Sequence, residues 1–219
     1  MPSVLSLLTD PDEFFRRRVP DPSLKGPAVV VAAIAVVSVV ASLLQFQFMS
    51  QVFESGGAGG GFVTAIRAVS LVFSFALPFV FWLLYAGLFH GISALLDGEG
   101  EFSTTLALVG WGYVPSVLGS IAGAAVNYYR FNVRGIDVPT EMTMEAYQQF
   151  SQSLQTGPLV ALSAVLSIVF TLWSAFLWTF ALKHARDLTL RQAAITVAVP
   201  VGLGLLWTAR TLLVALEVL

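Results

Sequence analysis

The two histidines are the first residues to weigh, because imidazole is the commonest metal ligand and carries protons near neutral pH. His90 ends one apolar run and is followed by Asp97, Glu99 and Glu101; His184 ends another and is followed by Asp187. If those connecting segments share a face, His90, His184 and one carboxylate form a chemically allowed metal set. No HExxH-like or paired-ligand spacing supports it, and zinc takes three or four convergent ligands. The spacing favours hydrogen-bonded interfacial imidazoles instead, so no metal and no cofactor is expected. Nucleophile patterns fail as well: there is no GxSxG, no one-turn Ser/Lys or Asp/Asp pair inside an apolar run, and no GxxxxGK[ST]. The GEG at Gly98–Gly100 is too short to cradle a phosphate. Cysteine is absent, which removes disulfides, thiolate catalysis and cysteine metal sites. No catalytic residue is assigned, and the chain reads as non-enzymatic.

Arginines, prolines and glycines inside apolar runs carry the remaining chemistry. Arg67 and Arg210 fall toward the ends of such runs, where a long stem snorkels to water. An alternative is a transporter or channel for a small solute or ion, its passage running past Pro78, Pro115, Pro200 and Arg210. Gly119 and Gly123 form GSIAG, with Ser116, Ser120 and Ala124 in helical register. Lipid supplies little hydrophobic drive between helices, so a small-residue face associates by close van der Waals contact. It would serve helix packing within the chain or a homo-oligomer seam. Gly202 and Gly204 carry the same ambiguity.

The elements that must position these residues follow from composition. Of 219 residues, 57% are AVILMFWYC and 11% are charged, and the mean hydropathy is +0.82. So few charges cannot clothe a water-soluble globule, which excludes a soluble enzyme. A net charge of −2, without basic stripes, excludes nucleic acid as a partner. A helix needs about 20 apolar residues to cross the ~30 Å hydrocarbon layer. Five runs qualify, at about 27–48, 64–96, 105–129, 158–182 and 193–216. They are apolar all round and lack the alternation of barrel strands. The predicted class is all-α: a polytopic integral membrane bundle of five transmembrane helices with short interfacial helices. The second run is too long for one bilayer, so it must kink at Pro78 or protrude beyond His90.

Residues 1–26 form an N-terminal arm and 27–219 the membrane domain. In the arm Thr9 or Asp10 caps a short helix, Pro11 fits its first position, and Phe14 and Phe15 are expected at the headgroup boundary beside Arg16–Arg18. A second amphipathic helix is expected after Thr140, carrying Met144, Tyr147, Phe150 and Leu154. The stretch SGGAGGG at Ser55–Gly61 reads as a flexible linker. With the N-terminus inside, Arg16, Arg17, Arg18, Lys25, Lys183, Arg186 and Arg191 are cytoplasmic, against Arg67, Arg130, Arg134 and Arg210 outside. That excess sets the orientation, in a prokaryotic plasma membrane. The arm and the turns after His90 and Lys183 then make one cytoplasmic recognition surface for a membrane or cytosolic protein partner. Its candidate residues are Phe14, Phe15, Arg16, His90, Gly98, Glu99, Phe102 and His184.

Three segments carry a family resemblance: LLTDPDEFFRRR, FHGISALLDGEGEFSTTLALVGWGYVPSVLGSI and LWTFALKHARDLTLRQAA. In the second, His90 leads through Gly98, Gly100 and Phe102 to Thr105, Leu106, Gly112, Tyr113 and Pro115. In the third, Trp173 and Trp178 lead through His184 to Arg191 and Ala193. Together these resemble prokaryotic members of the Yip1-domain family, over nearly the whole chain. The resemblance implies a five-helix membrane protein with a cytoplasmic N-terminus. Eukaryotic relatives are associated with vesicle traffic and Rab-type small GTPases. With about 26 residues before the first span, a long cytoplasmic region of the eukaryotic kind is not expected here.

Overall fold

The computed structural model describes residues 4–55, 59–136, 139 and 143–218. In chain order the helices are α1 (Val4–Thr9), α2 (Pro11–Arg16), α3 (Lys25–Ser55), α4 (Gly60–Ala94), α5 (Phe102–Trp111), α6 (Val114–Tyr128), a π-helical extension (Tyr129–Val133), α7 (Met144–Gln155), α8 (Pro158–Ala185) and α9 (Leu190–Ala215). No strand occurs among the described residues. Lys25–Phe48, α4, α8 and α9 are each long and apolar enough to cross a membrane, and α5 with α6 and its extension makes a bent fifth candidate. Only 6% of the most apolar stretch of α4, and 17% of the other three, is buried inside the protein. Their apolar faces are therefore left to lipid, which is the expected inversion of a water-soluble core.

The third span, read from the sequence as 105–129 with Pro115 able to kink it, goes further than a kink: the chain breaks at Gly112–Tyr113 and the two halves meet at 45°. Pro115 brings no N–H, so the Trp111 carbonyl loses its helical donor. The Tyr113 amide turns back to Gly110 O at 3.3 Å, leaving Val109 O to accept from Gly112 N at 3.0 Å. Two tryptophans supply further donors at this bend. Trp178 Nε1 donates to Val109 O at 2.9 Å, and Trp82 Nε1 to Leu106 O at 2.9 Å. Glycine is required here because a Cβ on Gly112 would overlap the Trp178 indole.

Trp178 is the centre of the core. Tyr113, Tyr85 and Phe89 place their rings 5.1, 5.3 and 5.4 Å from it, and Val31, Leu182 and Val197 close the cluster. The second span stays a single 35-residue helix through Pro78. At about 1.5 Å per residue this is roughly 52 Å, longer than a bilayer core, so part of it must project or tilt. On the other side of the break, Gly119 meets the Phe170 ring of α8, where a Cβ would lie 3.0 Å from it. A Cβ on Gly123 would meet nothing within 4 Å. Of the two glycines of the small-residue face only Gly119 packs closely within the chain, one turn from Ser116, whose hydroxyl meets that of Ser174 at 3.0 Å.

Candidate functional site

The arm, the α4–α5 turn and the α8–α9 turn come together at one end of the bundle. Asp10 caps α2 by accepting from the Glu13 amide at 3.1 Å, Pro11 opens the helix, and Glu13 pairs with Arg16 and Arg17. Phe14 and Phe15 are 0% exposed. They were expected at the headgroup boundary. Instead they seat the arm in a second core with Leu7, Leu108, Leu177 and Ala181, beneath α5 and α8. Phe14 lies edge-on to Trp111 at 5.5 Å, and the Arg18 guanidinium lies over the Phe14 ring, 3.5 Å from its centroid. Burying two phenyl rings against a tryptophan outweighs their partial burial among headgroups. Arg16 remains at the surface.

A polar clamp fastens the same helix from the side. Asp12 Oδ1 accepts from Lys183 Nζ at 2.6 Å and pairs with His184 Nε2 at 2.8 Å. Hydrogen bonds from Lys183, then from His184, hold the Asp12 carboxyl below its ordinary 3.8. His90 takes a different partner: Nδ1 lies 3.1 Å from Thr105 Oγ1, and the ring meets Phe102 edge-on at 5.4 Å. The two histidines are thus engaged by separate hydrogen bonds, and among the described residues no group of three His, Cys, Asp or Glu is placed to hold a metal.

Arg186 joins the two turns. Its residue is 3% exposed, and the guanidinium donates to Ser93 Oγ at 2.9 Å, to Gly98 O at 2.5 Å and to Gly100 O. In return the Glu99 amide donates to Arg186 O at 2.9 Å. Gln192, whose side chain completes a capping box with Thr189, donates to Leu96 O at 3.0 Å. Asp97 and Asp187 both adopt positive φ, 61° and 50°, which reverses the chain in each turn. Gly100 sits at φ 113°, and a Cβ there would lie 2.6 Å from Ala185 O. Gly98 is equally confined, with Ser93 O 2.8 Å from where a Cβ would be.

The sequence brings His90, Gly98, Glu99, Phe102 and His184 to this end, as the recognition reading requires, but it misassigns the two phenylalanines and misses Arg186, Asp12 and Ser93. Glu99 and Arg16 are exposed, and Phe102 is 38% exposed. Leu95, at 82%, adds an uncovered apolar side chain in the α4–α5 turn. The residues named for a passage do not line one channel. Pro78 borders a cavity of about 570 Å³ between α3, α4, α6 and α8, together with Ser38, Ser74 and Tyr113. Pro115 and Pro200 are buried outside its lining, and Arg210 is exposed beside Trp207. Arg67 lies 5.3 Å from the Phe46 ring at the other helix ends. The second amphipathic helix is α7, capped by Thr143, whose hydroxyl accepts from the Ala146 amide. Thr140, the cap expected for it, lies outside the described residues, as do Gly56 and Gly57 of the linker.

Apolar helices exposed along their length, a broken span whose carbonyls are satisfied by side chains, and polar groups gathered at the helix ends define a polytopic helical membrane protein. More particularly, the Yip1 domain model matches residues 5–210, and the chain belongs to that family. The uncharacterized protein MJ0794 of Methanocaldococcus jannaschii is 28% identical over 128 residues, which are 58% of this chain and 89% of that relative. No solved structure matches the chain.

Proposed function

We propose that the protein is a non-enzymatic membrane scaffold or adaptor, and that the end formed by the arm and the two turns is its cytoplasmic recognition surface. One observation carries this reading: Arg186 ties both turns into a fixed unit whose outer side is exposed. Beneath it are three donated hydrogen bonds, and above it stand Glu99, Glu101, Phe102 and Asp187, all exposed. A preorganised turn pair with an apolar and acidic outer side suits a protein partner, since little ordering entropy is left to lose on docking. Orientation is supported by arginine and lysine placement. Arg16, Arg17, Lys183, Arg186 and Arg191 flank this end, and the positive-inside bias supports its cytoplasmic assignment.

The absence of cysteine from the sequence makes the test direct. Single cysteines at Glu99, Asp187 and, at the other end, Met144 are labelled from outside intact cells. Protection of the first two with labelling of the third supports the orientation. A photo-crosslinker at Glu99 or Leu95 should give one discrete protein adduct in native membranes, lost in Arg186→Met. Adducts unchanged by that substitution, or identical to those from a crosslinker on lipid-facing Leu203, refute the recognition surface. The transporter reading rests on the cavity beside Pro78, and protein-dependent solute flux in proteoliposomes would favour it instead.

A further inference from the structure

The end of the bundle remote from the arm contains a second polar concavity, of about 620 Å³. Arg130 borders it from the π-helical extension of α6 and Arg134 from the residue that ends it, Gln149 and Ser153 from α7, and Thr156 and Gly157 from the junction with α8. None of its described lining residues is acidic. Arg130 is held in place: Nη2 donates to Ser153 O at 3.1 Å and to Leu154 O at 2.6 Å, the last carbonyls of α7. Arg134 is exposed and forms no ion pair among the described residues.

The depth of the concavity is set by the helices that frame it. One candidate span ends at Val133 and the next begins at Pro158, so the concavity sits where hydrocarbon gives way to headgroups. Rings mark the same level. Phe131 and Phe150 pack 4.9 and 6.5 Å from Phe48, with Tyr128 and Tyr129 exposed nearby, in the manner of an interfacial aromatic belt. Two guanidinium groups at headgroup depth, one fixed and one without an ion pair among the described residues, match a phosphate by charge and by the planar fork geometry of arginine.

We propose that this concavity binds the phosphate of an anionic membrane lipid in the leaflet away from the arm. Arg130 and Arg134 engage the phosphodiester oxygens, and the Gln149 amide serves the polar part of the headgroup. The ligand class is a phosphodiester lipid with a small polar headgroup. Its acyl chains lie along the exposed apolar surface of the bundle.

The test uses the full chain in phosphatidylcholine nanodiscs doped with phosphatidylglycerol, then mild delipidation and native mass spectrometry of the lipids retained. The wild type should keep phosphatidylglycerol in preference to phosphatidylcholine. Arg134→Gln should reduce that preference about fivefold, the effect of one surface arginine on an anionic lipid. Losing Arg130 also removes a donor from α7, so the second variant is Gln149→Glu, at an exposed position, where the added carboxylate should repel the phosphate to a similar degree. Equal retention of both lipids by the wild type, or an unchanged preference in both variants, overturns the proposal. Inorganic phosphate that displaces phosphatidylglycerol at matched concentration assigns the site to a soluble anion and overturns the lipid assignment. Retention that resists phosphate supports it.

Discussion

Replacing Arg186 by methionine keeps the stem packed and deletes the guanidinium donors that tie the α8–α9 turn to the α4–α5 turn, leaving the Glu99 amide and the Gln192 side chain as the remaining links. Three bonds from a charged group are lost, to Ser93 Oγ, Gly98 O and Gly100 O. At about 1.5–3 kcal/mol each they total roughly 5–9 kcal/mol. Removing a cation that is 3% exposed returns several kcal/mol of desolvation. The net loss is then about 2–4 kcal/mol, concentrated in the turns because the helices on either side keep their own packing. Local opening is the quantity to measure. Hydrogen exchange of the full chain in nanodiscs should show the amides of Gly98 and Glu99, which donate to Ser93 O and Arg186 O, losing protection by roughly 30- to 1,000-fold, since 1.4 kcal/mol is a factor of ten. Amides in the middle of α8 should change far less. Arg186→Lys should fall between the two, because one ammonium cannot span three acceptors set around a planar fork. Unchanged exchange at Gly98 and Glu99 in Arg186→Met would refute the view that this side chain holds the turns.

Gly112→Ala forces a methyl into the Trp178 indole, so Trp178 must leave Val109 O; a loss of about 1–3 kcal/mol, with a shifted tryptophan emission maximum, is expected in thermal unfolding in detergent. Gly119→Ala should destabilise through Phe170, whereas Gly123→Ala, with nothing within 4 Å, should be neutral or gain up to about 1 kcal/mol from helix propensity; equal effects would contradict the packing described. Because Lys183 and His184 depress the Asp12 carboxyl, its contribution to arm docking is complete above pH 3.8, the ordinary value, and is lost only as pH falls through the lower folded value. A spin label on a cysteine replacing exposed Leu5 should therefore keep its mobility from neutral pH down to the carboxylate range and gain mobility below it, while Asp12→Asn should show the loosened spectrum at every pH.

The spans were legible because hydrocarbon demands length and uniform apolarity, and 158–182 and 193–216 differ from α8 and α9 only at their ends. Pro115 marks a kink in the third span, but the sequence does not show that the helix breaks fully at Gly112–Tyr113. Neither residue breaks a membrane helix by itself; the break also needs Trp82 and Trp178 to satisfy the displaced carbonyls, and those lie 24 and 69 residues from their acceptors. Phe14 and Phe15 show the same gap. Their type and the neighbouring arginines fit a headgroup location, and only the tertiary position of Trp111 and Leu177 makes burial better. Arg186 was counted as one more charge in KHARDLT, where nothing local separates a buried arginine from a solvated one. Only the structure sets Arg186 apart: two facing turns, each with an aspartate at positive φ, beside Gly98 and Gly100, which are too confined for a side chain.

At both ends of the bundle freed backbone carbonyls are met by donors from another element, but among the described residues the arm end carries more of these bonds. Within the hydrocarbon, a carbonyl released by a break has no water to turn to and must find a donor from another element, and a carbonyl buried at a helix end has the same need. At the arm end the donors come from far along the chain: Trp82 to Leu106 O, Trp178 to Val109 O, Gln192 to Leu96 O and Arg186 to Gly98 O and Gly100 O. Each bond crosses between helices, so none can open without disturbing a second element. At the other end Arg130 closes the last turn of α7, and Gly157 N reaches Ala215 O, while Arg134 is exposed and forms no ion pair among the described residues. Cross-linking of this kind makes shape reproducible, which a surface recognising one partner requires. A site that receives a mobile lipid headgroup needs only fixed charge and room.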